Sequence, residues 1–227
     1  MSSPFRTSAR RERRTGFTLV ELLAVIALAA LLAGMFSFVA LSNGGGSVES
    51  ARRLAAGQFS GARHRALLQG TRTRVLIHAD PAEPDRYLRE IGIVVADSGA
   101  GSATRWVAAG PGERLPRGTF FVPGIARSAG TQPPDTMRLT FPTTEPQAAG
   151  DGDRYYYFGF NAAGQAEEPG TQVVFEAGRM EPSGDGFAFV PAYTGGEARK
   201  QGGAGFLLLR MGSLAFFPEA DAIQGEW

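Results

Sequence analysis

Twenty consecutive residues, 22–41 (LLAVIALAALLAGMFSFVAL), carry no charge and only one polar side chain, Ser37. A helix of that length is about 30 Å long, the thickness of a bilayer's hydrocarbon core. A helix on the surface of a soluble domain keeps a polar face, and this segment has none. A secretory h-region is usually about 7–15 residues followed by a small-residue cleavage site; here the apolar run continues well past that length. The reading is a transmembrane helix over residues 17–42, with a plain membrane anchor as the simplest role for it.

The flanks orient that helix. Residues 1–16 hold Arg6, Arg10, Arg11, Arg13 and Arg14 against Glu12, a net of +4, whereas the first charge after the run is Glu49. The positive-inside rule therefore keeps the N-terminus in the cytoplasm and exports the C-terminal bulk. Since the whole chain carries only +1, the remainder after residue 16 is at −3, with its basic side chains scattered among acids. A nucleic-acid surface needs clustered cations, so no nucleic-acid partner is expected.

Composition narrows the chemistry further. The absence of cysteine excludes a disulfide framework, a thiolate zinc site, an iron–sulfur cluster and a cysteine nucleophile. His64 and His78 are too few for most catalytic metal centres, and both read as solvated or structural. No HExxH, P-loop, G-x-S-x-G or S-x-x-K motif occurs, and Gly99-Ala100-Gly101 lacks the context of a dinucleotide site. Asp151-Gly152-Asp153 offers two carboxylates one residue apart but not the twelve-residue calcium-loop spacing, so a solvated turn is expected there. Neither an enzyme, a cofactor nor a metal is anticipated.

What distinguishes the segment from a plain anchor is Glu21, a carboxylate at the mouth of the apolar run. Drawn to the bilayer centre it would cost up to about 2.5–3.5 kcal/mol, so it should face a partner. The residues Arg14, Thr15, Gly16, Phe17, Thr18, Leu19, Val20, Glu21, Leu22 and Leu23 resemble the class III signal of the type IV pilin and type II secretion pseudopilin superfamily. That resemblance implies cleavage by a membrane prepilin peptidase between Gly16 and Phe17, and methylation of the new amine on Phe17. It also implies pairing of Glu21 with the N-terminal ammonium of a neighbouring subunit; pairing with the Phe17 amine of its own chain remains the local alternative. Glycine at position 16 suits an extended peptide in a narrow cleft, and removing the leader strips away the charge that holds the helix at the cytoplasmic face. The partners implied are the peptidase and methylase, other pilin or pseudopilin subunits, an inner-membrane assembly platform and the lipid bilayer. The implied location is the bacterial inner membrane, with the C-terminal domain periplasmic before assembly into a pilus or pseudopilus.

No proline lies between Pro4 and Pro81, so helix can continue beyond the membrane. Three consecutive glycines, Gly44, Gly45 and Gly46, each cost a helix about 0.8–1.0 kcal/mol relative to alanine, and residues 43–47 are expected to break it as a hinge or a passive linker. Over 48–70, Val48, Ala51, Ala55, Phe59, Ala62 and Ala66 recur at spacings of three or four. Leu54 and Leu67 flank that stripe, and Glu49, Arg52, Arg53, Arg63 and Arg65 lie largely elsewhere. This second helical half should pack its apolar stripe on a β-domain.

From residue 71 onward, short apolar runs alternate with Gly, Pro, Asp and Ser. Strands are predicted at 74–78, 88–96, 105–108, 119–122, 137–141, 155–160, 172–176, 186–190, 206–211 and 213–217. Their spacing suggests an antiparallel β-sandwich, giving an α+β chain overall. Tyr155, Tyr156 and Tyr157 should alternate between sheet faces, with Tyr156 a candidate for an exposed contact. The stretch 62–77, with 157–164, 172–178 and 206–217, resembles H-type minor pseudopilins and FimT-like minor pilins, whereas 80–155 and 179–204 depart from them. The function implied is a minor structural subunit of a pilus or pseudopilus. The alternative is a single-pass anchored β-domain that binds a ligand without polymerising.

Overall fold

The computed structural model describes residues 19–97, 104–125, 133–194 and 202–217; side chains at 21, 24 and 27–46 are outside that set. The leader, Gly16 and Phe17 therefore lie outside the described residues, as do Gly99, Ala100 and Gly101. Two compact units divide the chain, Met1–Ser42 and Asn43–Trp227, and each is described by itself.

The first secondary-structure element, α1 (Leu19–Gln69), runs without interruption through Gly44–Gly46. The break expected at 43–47 is absent from the backbone assignment. Propagating a helix adds one hydrogen bond per residue fixed, so strong helix on both sides of a short glycine tract can carry it. The boundary between the two units nonetheless falls at the edge of this tract, between Ser42 and Asn43.

Helix α1 ends where its chemistry requires. Gly70 adopts φ +60°, a conformation that costs glycine little, and the Thr71 amide donates to the Ala66 carbonyl at 3.3 Å, the six-to-one bond of a Schellman cap. Thr73 Oγ1 then donates back to the Ala62 carbonyl at 3.0 Å, fixing the first strand beside the last turns of the helix.

Twelve strands follow among the described residues, all paired antiparallel. The larger sheet has the order β6 (Thr136–Leu139), β8 (Asp153–Phe160), β1 (Thr73–His78), β2 (Glu90–Asp97), β3 (Arg105–Ala108), β7 (Gln147–Ala148), with β4 (Glu113–Arg114) also on β2. The smaller has the order β10 (Gly186–Pro191), β9 (Thr171–Ser183), β11 (Gly203–Leu208), β12 (Leu214–Phe216), with β5 (Thr119–Phe121) also on β9. All ten predicted strands are present. The two-residue strands β4 and β7 were not foreseen, being too short to show an alternation.

One core joins the helix to both sheets. Val48, Ala51, Ala55, Phe59, Ala62 and Ala66, the predicted stripe, are all buried. They cluster with Val75, Ile77, Ile91, Ile93, Phe158 and Phe160 of the larger sheet and with Phe121, Val173, Phe175, Phe206 and Leu208 of the smaller. Phe59 is the pivot: its ring lies 5.1 Å from that of Phe158 and 5.1 Å from that of Phe206, one in each sheet. Alanine at four of the six stripe positions lets backbone and sheet approach closely, and Phe59 packs against both sheets.

The larger sheet is covered on its other face as well. Leu76, Val94, Trp106, Met137, Leu139, Phe141 and Tyr155 form a second cluster there, and the Arg74 guanidinium stacks over the rings of Trp106 and Tyr157 at 4.5 and 3.9 Å. This corrects the expectation for Tyr156. Period-two alternation sends Tyr156 to the helix side with Phe158, where it packs 5.9 Å from Phe121 and is half-buried rather than an exposed contact.

Candidate functional site

The described start of α1 presents large apolar side chains to solvent. Leu19, Val20, Leu22, Leu23, Val25 and Ile26 are each 56–74% exposed. At 100° per residue these six positions span well over half the helix circumference. An apolar surface that wide is not tolerated in water by a stable monomer, so lipid or protein must cover it. Glu21 lies in the same helical stretch; its side chain is outside the described residues. Among the described residues no helix is long and apolar enough to cross a membrane, and the side chains of 27–41, most of the apolar run, fall outside them.

The same helix reverses its character beyond Ser47. Its stripe from Val48 to Ala66 is buried in the β-domain, and Arg52 Nη2 and Arg53 Nε donate to Glu49 Oε1 at 2.6 and 2.9 Å. Burial pushes the Glu49 carboxyl up, but the hydrogen bonds from Arg52 and Arg53 outweigh it and hold the group below the usual range. The Arg52 guanidinium also lies 4.9 Å from the centre of the Phe216 ring, linking this helical segment to β12.

The remaining candidates separate by environment. His64 is exposed on the helix, and Asp151 is exposed in its turn. Gly152 takes φ +92°, and Asp153, the first residue of β8, reaches Arg86 and His78. His78 is fully buried at the end of β1, its ring 5.2 Å from and nearly perpendicular to that of Tyr155.

An ionic hub that the sequence reading did not single out stands beside His78. Arg86 Nη1 donates to Glu83 Oε2 at 2.8 Å and to Asp153 Oδ2 at 2.7 Å, its Nε donates to Glu90 Oε2, and its Nη2 donates to the Tyr155 hydroxyl at 2.6 Å. Burial pulls the Arg86 guanidinium toward losing its proton, yet its bonds to Glu90, Glu83 and Asp153 win and raise its pKa. Burial likewise raises the Tyr155 phenol, against Arg86 and with the nearby acids. It lowers the His78 imidazole, helped by Arg86 and opposed by Glu90, Asp153 and Glu83. The spacings Glu83 to Arg86 and Arg86 to Glu90 were the available local signal, since residues three and four apart meet in a helical turn. Asp153, 67 residues on, reaches the hub only because β8 pairs with β1.

The comparisons bear on the N-terminal segment. Residues 11–37 match the family model for the prokaryotic N-terminal methylation motif. The chain thus carries a prepilin-type N-terminal signal of the kind found in type IV pilins and pseudopilins. No curated protein and no solved structure matches the chain.

Proposed function

We propose that the protein is a minor pilin or pseudopilin, a structural subunit rather than an enzyme, whose leader of residues 1–16 is removed after Gly16 and whose Phe17 amine is methylated. The match of residues 11–37 to the methylation motif carries this reading. The exposed apolar start of α1 supports it, because a surface of that kind has use first in lipid and then against the helices of neighbouring subunits. In this reading the inner-membrane platform draws the subunit into a filament, Glu21 pairs with a neighbour's ammonium, and the β-domain faces outward. The tract Gly44–Gly46, at the division between the two compact units, lets the β-domain adjust its tilt as the filament forms.

Intact mass of the protein extracted from membranes tests the first step. Loss of residues 1–16 with gain of one methyl group supports the reading; a retained leader favours an anchored binding module that does not polymerise. Glu21→Ala should then insert normally and enter filaments poorly, as judged by shearing and immunoblotting. Unchanged incorporation removes the role given to that carboxylate.

A further inference from the structure

We propose that His78, Glu83 and Asp153 form a binding site for a zinc-class divalent metal ion, a property of the β-domain that stands apart from filament assembly. One ligand atom from each residue lies within 4.8 Å of the others, and His78 Nε2 is 3.9 Å from Asp153 Oδ2. Ligands on a tetrahedral ion at about 2.0 Å sit about 3.3 Å apart, so the site closes around the ion with side-chain movements on the order of 1 Å.

The independent pointer to a ligand is His78 itself. Its side chain is completely buried, and neither ring nitrogen has a hydrogen-bond partner. A neutral imidazole presents one N–H donor and one lone pair, and burying either unpaired is costly enough that such groups call for a bound species.

Charge agrees. In the hub beside His78, Arg86 bonds to Glu90, Glu83 and Asp153, one cation among three carboxylates, and the surplus of two negative charges matches a divalent ion. Arg86 holds the two carboxylates convergent, its Nη1 bridging Glu83 Oε2 and Asp153 Oδ2. On metal binding Arg86 keeps Glu90 and the Tyr155 hydroxyl as anchors. A ligand set of one imidazole and two carboxylates favours zinc-class ions over calcium, which takes six to eight oxygens. The Glu83 side chain is 46% exposed, which opens the site to entry from solvent. Bound metal would clamp the end of β1, the turn at Glu83 and the start of β8 together.

The test uses the full chain in detergent, stripped by a chelator and titrated calorimetrically with Zn2+, with Co2+ as a coordination probe read by visible absorption. The expected result is one equivalent of Zn2+ bound, with tetrahedral Co2+ bands. Glu83→Gln and Asp153→Asn should each weaken binding at least ~10-fold, the loss seen even for outer-shell partners. His78→Gln should abolish it; if that variant fails to fold, the two carboxylate variants still decide. No Zn2+ uptake, Ca2+ taken in its place, or uptake unaffected by the carboxylate substitutions overturns the proposal. None of these outcomes depends on whether the leader is cleaved.

Discussion

Helix α1 is one secondary-structure element with two kinds of surface. Toward its start, leucine, valine and isoleucine point outward with more than half their area exposed; beyond Ser47, alanines at helical spacing and Phe59 vanish into a core shared with two sheets. Side-chain size tells the two apart. Bulky residues over more than half the circumference suit a fluid or exchangeable environment that conforms to them. Small residues on one stripe suit a fixed partner that has already been shaped. The first region is thus built for association and the second for folding, and substitutions in them should separate the two properties.

The largest effect should come from Phe59→Ala. Removing a fully buried ring that touches both sheets is expected to destabilise the β-domain by about 3–5 kcal/mol, read by denaturant unfolding of the full chain in detergent. Val25→Ala, in the exposed region, should leave that unfolding midpoint unchanged while weakening filament incorporation. Equal destabilisation by both substitutions would break the distinction between the two regions.

Replacing Gly44, Gly45 and Gly46 together by alanine probes the division between them. Each exchange favours local helix by about 0.8–1.0 kcal/mol, so helical content by circular dichroism should hold to higher temperature. The unfolding midpoint of the β-domain should move little, because the buried stripe begins only at Val48, after the tract. A larger change in that midpoint would mean the two regions are energetically continuous.

How far the sequence disclosed this arrangement depends on the range of the interactions involved. The stripe from Val48 to Ala66 was readable because its spacing is local, and the same holds for the strands that alternate. The prepilin signal was readable because a peptidase recognises contiguous residues. Tyr156 was misjudged because alternation separates two faces without saying which of them the helix packs on; the stripe of α1 takes the face of Tyr156 and Phe158. The hub around Arg86 was legible only in the spacing of Glu83, Arg86 and Glu90. His78, Glu83 and Asp153 become neighbours through the β1–β8 register that sets His78 opposite Tyr155, and no spacing along the chain encodes that. Continuity of α1 through three glycines was missed because propensity weighs each residue alone and helix propagation does not.

The smallest effect, at Glu49, sharpens the comparison at the first turns of the buried half. Glu49 precedes Arg52 and Arg53 by three and four residues, the order that favours a helix, and its carboxyl ionises below its unfolded-chain value of 4.5. Between those two values the unfolded chain binds the proton that the folded chain does not. The stabilisation is therefore complete above the unfolded value and is lost as pH falls through the folded one. With the carboxylate one-third exposed, screening limits its worth to about 0.5 kcal/mol. Glu49→Gln should lower stability by that amount at pH 7 and by nothing once the pH is below the folded value. A difference persisting into acid would show that the side chain contributes through packing against the helix instead of through its charge.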